Sequence, residues 1–139
     1  MWYFKLYFQY IFNNYFLKGK NNEFQSVIIR GMKFSSYGKR DCFLLLRDLR
    51  IAKIIKIKNV SGEPKFIVRQ VNNFGDFYNV PISSSILNIY KGNVETINED
   101  FEVQIRDIKY KTMAIKSPEA PNEWIFVPVK GQNANSFEN

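Results

Sequence analysis

The sequence contains no histidine and a single cysteine, Cys42. Without histidine, the chain cannot form a Ser-His-Asp or Cys-His catalytic arrangement, and it offers no imidazole to a metal ion. One cysteine excludes an internal disulfide and favours a reducing compartment. Because Cys42 stands directly before the apolar run at residues 43–46, we interpret it as a buried structural thiol and not as a nucleophile.

Other signs of catalysis are also missing. Residues 38–41 read GKRD and hold one glycine, which is too few for a loop that cradles phosphate. The carboxylates of Glu99, Asp100 and Glu102 are interpreted as a solvated strand entry, since no pattern places two of them across a pocket. The sequence therefore predicts a protein that is not an enzyme and that binds no cofactor and no metal.

Long uninterrupted hydrophobic runs are absent as well. Residues 1–17 hold nine aromatic residues, but polar residues interrupt them too often for a membrane-spanning helix or a signal peptide. Lys5, Gln9 and Asn13 recur every four residues, which predicts a helix with a narrow polar stripe within residues 1–20. Three interpretations stay open: a helix packed on the domain, which we favour, an anchor for a membrane interface or a partner, and an extension outside the fold.

Residues 21–130 carry the patterns of β-strands, and residues 131–139 form a polar tail that we expect to be flexible. Lys56 and Lys58 alternate with Ile55 and Ile57. This period of two residues is typical of a strand with one buried face. Strands are predicted at residues 24–34, 42–46, 51–60, 65–78, 101–116 and 123–130.

Two of these strands carry irregularities in their sequence. The apolar positions of residues 101–116 shift by one residue near Arg106 and Asp107, which predicts a bulge or a corner there. The last strand contains Pro128, which cannot donate a hydrogen bond to a neighbouring strand. That strand should therefore end near Pro128 or lie at an edge of the sheet.

The segment NFGDFYNVPISSSILNIYKGN, residues 73–93, predicts one short helix in the domain. Phe77 and Tyr78 would end the strand that begins at Lys65, and Pro81 would stop it. A serine, Ser83 or Ser84, would cap the helix, which makes the serine run more typical of a cap than of a nucleophile. The predicted helix would end before Gly92. Its buried side would carry Ile86, Leu87 and Tyr90.

The order of these elements predicts a mainly β fold, in the form of a small OB-like or SH3-like barrel with one short helix and an N-terminal helix. The charge of this fold is divided along the chain: it is +9 over residues 18–69 and −3 over residues 70–139. One half of the domain is therefore a candidate surface for polyanions.

A nucleic-acid surface on the basic half would combine cations for the phosphates with aromatic rings for base stacking. The candidate cations are Lys33, Lys39, Arg40, Arg47, Arg50, Lys53, Lys56 and Lys58. The candidate stacking residues are Tyr37, Phe74 and Tyr78. Two other interpretations stay open, a solvated basic face with the aromatic rings in the core, and a protein or peptide site such as the strand edge beside residues 123–129.

Five segments of the sequence also carry a family resemblance: KFSSYGKRDCFLLLRD, IAKIIKI, FYNVPISSSILNIY, DIKYKTMAI and WIFVPV. The resemblance covers residues 24–130 and is to a β-rich module of invertebrate proteins derived from or associated with transposable elements. The order of elements is also similar to BAH-type chromatin-reading domains. The chain differs from that group because one cysteine and no histidine cannot form the zinc finger that often precedes the module.

The resemblance implies a non-enzymatic accessory module of a transposon-related protein, located inside the cell, with the nucleus as one candidate compartment. Such a module would contact nucleic acid through residues 18–69. The competing hypothesis is a protein-interaction domain that docks a partner through its N-terminal aromatic segment or through an exposed edge strand.

Overall fold

The computed structural model describes residues 13–17, 22–38, 40–72 and 74–129, and for residues 13–17 it describes the backbone. These residues form eleven strands in one antiparallel sheet. The strands are β1 (Asn13–Leu17), β2 (Glu23–Ile29), β3 (Met32–Ser35), β4 (Phe43–Leu46), β5 (Ile51–Val60), β6 (Glu63–Val71), β7 (Gly75–Asp76), β8 (Tyr90–Gly92), β9 (Thr96–Val103), β10 (Ile108–Lys116) and β11 (Trp124–Val129). Two short 3₁₀ helices, Ser84–Leu87 and Ile105–Asp107, complete the secondary structure of the described residues.

The centre of the sheet is β5, which pairs with β6 from Ala52 to Val60. Its other edge is shared, since its first residues pair with β4 and Ile57 and Lys58 pair with β2. The register of β5 shifts between Ile54 and Lys56, and a bulge of this kind bends and twists a strand. The bend lets one edge serve two partners.

The strand pairings extend outward from β5 in branches. One path runs β1-β2-β5-β4-β10-β11-β8-β7, and β3, β6 and β9 branch from it. These pairings do not form a ring, so the described strands make no closed barrel. The mainly β class of a small domain is confirmed. Of the closed and half-open forms that an OB-like, SH3-like or BAH-like barrel could take, the closed form is excluded for the described strands, which make an open, branched sheet.

Two hairpins close through two-residue turns with positive φ at both positions. Arg30 and Gly31 have φ of 53° and 79°, and Ser61 and Gly62 have 54° and 83°. This is the geometry that suits the right-handed twist of a hairpin, and glycine adopts it without steric strain. The first of these turns divides residues 24–34 into β2 and β3, so the single strand predicted there is wrong.

The core lies where the inward residues of several strands meet. All four residues of β4 are buried, as its continuous apolar run predicts. Aromatic rings from distant strands pack edge to face, Phe34 against Phe66 at 6.0 Å and Phe43 against Phe126 at 5.2 Å between ring centres. Fully burying one such side chain stabilises the fold by about 1.5–3 kcal/mol.

Of the three remaining predictions about the fold, one is wrong, one is confirmed and one holds in part. A helix is wrong for residues 13–17, which form β1, while residues 1–12, 18–21 and the tail lie outside the described residues. The corner near Arg106 is confirmed, because the 3₁₀ helix Ile105–Asp107 separates β9 from β10. At Pro128 the prediction of an edge holds on one side: β11 pairs with β10 there, and its pairing with β8 ends at Phe126.

Candidate functional site: the apolar loop and the lysine stripe

Between β7 and β8 lies a segment, residues 77–87, which we name the apolar loop. Large apolar side chains of this loop face solvent, and the exposed fractions are Phe77 42%, Val80 84%, Ile82 46%, Ile86 66% and Leu87 50%. Soluble proteins seldom expose apolar side chains in such a concentration unless the surface binds something. The apolar loop is therefore the first candidate interaction surface.

The conformation of the apolar loop is maintained from inside by Ser84. Its side chain is fully buried, and its Oγ accepts hydrogen bonds from the backbone N–H of Phe77 at 2.8 Å and Tyr78 at 3.2 Å. The same hydroxyl donates to the carbonyl oxygen of Ile89 at 2.8 Å. One side chain thus joins the start of the loop to its end.

A second set of hydrogen bonds fixes the 3₁₀ helix within the apolar loop. The N–H of Ser85 donates to the Asp76 carboxylate at 2.9 Å, and hydrogen bonding from Ser85 lowers the pKa of Asp76. Asn88 has φ 61° and donates its N–H to the carbonyls of Ser84 and Ser85, which ends the helix. Because these bonds satisfy the backbone internally, the loop can present apolar side chains outward in one arrangement.

Several predictions for this segment are wrong. Phe77 and Tyr78 do not end the strand begun at Lys65, because β6 ends at Val71 and β7 holds Gly75 and Asp76 alone. Ser83 occupies the N-cap position but makes no capping hydrogen bond. The predicted buried face is wrong for two of its three members, because Ile86 and Leu87 are exposed. Tyr90 is buried as predicted, although it lies on β8 and not on a helix.

The surroundings of the apolar loop are basic. The sequence from Phe77 to Gly92 contains no acidic residue. Lys91 is exposed on β8, and the Nζ of Lys109 lies 3.2 Å from the Asn88 side-chain oxygen. The Asp76 carboxylate also lies beside the loop, where it accepts the Ser85 hydrogen bond, and its lowered pKa favours the charged form. A ligand of the loop would therefore meet two ammonium groups and one carboxylate.

The second candidate surface is the outward face of β5, where Lys53, Lys56 and Lys58 form what we name the lysine stripe. Their partners on β6 are Arg69, Ile67 and Lys65, which alternate with buried residues of that strand. Side chains of a strand alternate between its two faces, and the register shift between Ile54 and Lys56 brings all three lysines to the same face. Lys58 is exposed there, and Lys53 and Lys56 are half-buried.

Acidic residues of β9 form ion pairs with the cations of β6 but not with the lysines of the stripe. On β9, Asp100 forms an ion pair with Arg69, and Glu102 lies 3.8 Å from the Nζ of Lys65. Among the described residues, no carboxylate lies within 4.0 Å of a stripe ammonium group. Glu23 lies opposite Lys58 on β2 at a greater separation of the charges.

Two other predicted cations have structural contacts. Arg47 donates from Nε to the carbonyl of Arg106 at 2.8 Å, which ties the β4–β5 turn to the second 3₁₀ helix. Arg50 pairs with Asp48 at 2.7 Å, and its guanidinium lies 4.3 Å from the centre of the Phe101 ring. Both arginines line a groove of about 310 Å³ between this turn and β9.

The other predicted nucleic-acid residues are dispersed. Lys33 is exposed on β3, Arg40 is exposed in the loop before β4, and Lys39 lies outside the described residues. The three aromatic candidates are not assembled: Tyr37 is 49% exposed in that same loop, Phe74 packs against Tyr90 at 5.9 Å, and Tyr78 packs against Phe77 at 5.9 Å. The structure therefore brings together three of the eight predicted cations, without the stacking residues.

The sequence model of DUF8592, described as a domain of unknown function, matches residues 10–129. The chain belongs to the DUF8592 family. The DUF8592 match contains all eleven strands, so β1 is part of the family's domain. No curated protein and no solved structure matches the chain. The family description states no function, and the resemblance to transposon-associated modules and to BAH-type domains stays a prediction.

The DUF8592 domain also contains an ion pair that the sequence patterns did not indicate. Lys111 is 8% exposed on β10, and its Nζ lies 2.6 Å from the Asp41 carboxylate. The ammonium also lies 5.9 Å from the centre of the Phe34 ring. Asp41 and Lys111 are 70 residues apart, so no local spacing could reveal the pair.

The described part of the DUF8592 domain contains no group of three or more His, Cys, Asp or Glu residues arranged to hold a metal ion. In the same residues, no helix is long and apolar enough to cross a membrane. The thiol of Cys42 is buried and lies 3.4 Å from the carbonyl oxygen of Gly38, and burial raises its pKa. These surroundings favour a structural role for Cys42.

Proposed function

We propose that the DUF8592 domain is a non-enzymatic protein-interaction module that binds a partner segment on the apolar loop. The observation that carries this proposal is the combination of exposure and order in residues 77–87. Five large apolar side chains are each more than two-fifths exposed, while the buried Ser84 fixes the loop that presents them.

The energetic argument rests on preorganisation. Burying apolar surface contributes roughly 25 cal/mol per Å² removed from water. Much of that gain is lost in association when flexible side chains and loops must be ordered. A loop that hydrogen bonds of Ser84 and Asp76 already hold avoids part of this cost. The apolar loop therefore offers apolar surface at a lower ordering cost than a flexible loop would.

Charge complementarity specifies the partner. Lys91 and Lys109 border the loop together with the single carboxylate of Asp76, which leaves a net positive charge beside the apolar side chains. A segment with two or more apolar side chains flanked by acidic residues would match both the surface and its rim. The occupant we propose is therefore an acidic, amphipathic segment of another protein.

This proposal keeps the protein-interaction class predicted from the sequence and changes the surface. The predicted surfaces were the N-terminal aromatic segment and an edge strand. Residues 1–12 lie outside the described residues, and docking through the N-terminal segment stays a prediction. We favour the apolar loop because its apolar side chains are exposed and because the hydrogen bonds of Ser84 hold its backbone.

The test is selection of a random peptide library on the immobilised full chain. We expect enriched peptides with apolar residues flanked by Asp or Glu. Their affinity should fall by about tenfold or more in an Ile86→Ser/Leu87→Ser variant, since these side chains would lose their buried contacts. The matched control is Ile97→Ser/Met113→Ser, which removes two side chains that are 42% and 43% exposed elsewhere.

Three outcomes would overturn the proposal. One is the absence of any enriched peptide, and another is equal binding by the loop variant and the control variant. The third is self-association of the wild type, measured by sedimentation, that disappears in the loop variant, because this would assign the loop to a second copy of the chain. Circular dichroism and thermal unfolding establish that both variants fold.

A further inference from the structure

We propose that the lysine stripe on β5 binds the phosphate backbone of a nucleic acid strand. This site is separate from the apolar loop and rests on different observations. Its ligand contacts are to phosphates, because the predicted stacking residues Tyr37, Phe74 and Tyr78 lie elsewhere. Binding through the stripe would therefore be independent of base sequence.

The geometry of the stripe suits a linear polyanion. A strand rises about 3.3 Å per residue, so Lys56 and Lys58 project from one face about 6–7 Å apart. Lys53 continues the same line across the register shift of β5. The three lysines thus follow one another along one face of the bent strand β5, and a linear polyanion can meet such a series with successive phosphates.

The acidic residues near the lysine stripe pair with other cations. Asp100 and Glu102 of β9 form ion pairs with Arg69 and Lys65 of β6, the strand next to the stripe. Within the part of the chain that the structure describes, the stripe lysines make no ion pair. Clustered cations without partners repel one another, and a bound polyanion relieves that repulsion while it releases its own counterions.

The salt dependence of binding gives a quantitative expectation. Each neutralised phosphate contributes about −0.9 to the slope of log K against log salt for duplex DNA and about −0.7 for single strands. Three lysines therefore predict a slope of about −3 on a duplex and about −2 on a single strand. The slope measured with each probe can therefore be compared with its own expected value.

The experiment measures fluorescence anisotropy of a labelled oligo-dT strand and of a short duplex, titrated with the full chain over a range of salt. A Lys53→Gln/Lys56→Gln/Lys58→Gln variant should lose most of the slope and bind at least about tenfold more weakly at low salt. The matched control, Lys33→Gln/Arg106→Gln/Lys116→Gln, removes the same charge from exposed cations on β3, the second 3₁₀ helix and β10. It should retain the wild-type slope.

A further variant sharpens the test without removing a lysine. Glu23→Gln removes the carboxylate opposite Lys58 and should raise the affinity by about twofold at low salt, where surface charges interact most strongly. No wild-type binding at the lowest salt would overturn the proposal. Equal losses in the stripe variant and the control variant would overturn it too, because they would show an effect of net charge alone.

Discussion

The lysine stripe and the apolar loop expose their side chains for different structural reasons. In the stripe, exposure follows from the two-residue period of β5 and from the register with β6. In the apolar loop, exposure follows from hydrogen bonds between residues five to nine positions apart, above all those of Ser84 and Asp76. Regular backbone positions the cations, and side-chain to backbone contacts position the apolar groups.

This comparison indicates how each surface should respond to substitution. A stripe lysine has no structural partner among the described residues, so its replacement should affect ligands and leave stability nearly unchanged. A residue that holds the apolar loop should affect stability and binding together. The following three experiments test this contrast, and they are ordered from the largest expected effect to the smallest.

Lys111 offers the strongest contrast with the stripe. Lys111→Met would leave the Asp41 carboxylate in a largely buried position without its ammonium partner. We expect the free energy of unfolding to fall by about 3 kcal/mol. Lys56→Met, the control on β5, should change it by less than about 0.5 kcal/mol. Urea unfolding measures both, and a comparable loss in the two variants would show that the stripe has a structural role.

Ser84→Ala tests whether peptide binding depends on the hydrogen bonds that hold the apolar loop as well as on its exposed side chains. It removes the partner of two N–H groups and one carbonyl while every exposed apolar side chain remains. We expect a loss of about 2–3 kcal/mol in stability and weaker binding of the selected peptides. Ser83→Ala is the control, because its hydroxyl has one contact at 3.5 Å, with Asn79. Peptide binding that survives Ser84→Ala would contradict preorganisation.

The smallest expected effect comes from removing the two ion pairs beside the lysine stripe. Asp100→Asn/Glu102→Gln frees Arg69 and Lys65 on β6, next to the stripe. Exposed ion pairs of this kind contribute about 0–1 kcal/mol, so stability should change little. The slope of log K against log salt should steepen by about 1–2 as two more cations reach the phosphates.

The control for this experiment removes the same charge from acids elsewhere. Glu95→Gln/Glu119→Gln changes two exposed carboxylates that form no ion pair with another described residue. It should leave the slope unchanged. If both variants steepen the slope equally, the effect belongs to the net charge of the chain and the specific role of β5 is contradicted.

The sequence predicted the strands better than the surfaces. Alternation placed Lys56 and Lys58 outward on β5, and the change of phase near Arg106 located the corner, since both depend on local periodicity. Arg47 was predicted to contact nucleic acid, whereas it holds the β4–β5 turn to Arg106, 59 residues away. Ile86 and Leu87 were predicted to be buried because a helical period was assumed for a segment that forms one 3₁₀ turn.

The shared edge of β5 has a consequence for the kinetics of folding. The β5–β6 hairpin closes through Ser61 and Gly62 and is local in sequence, so it can form early. Its pairing with β2 brings Phe24 to Ile57 and is far less local, and such contacts slow folding because a longer loop must close first. The two partners pair with different parts of this edge, β4 before the bulge at Ile55 and β2 after it. We therefore expect β2 to join the sheet after the more local pairings of β5 with β4 and β6 have formed.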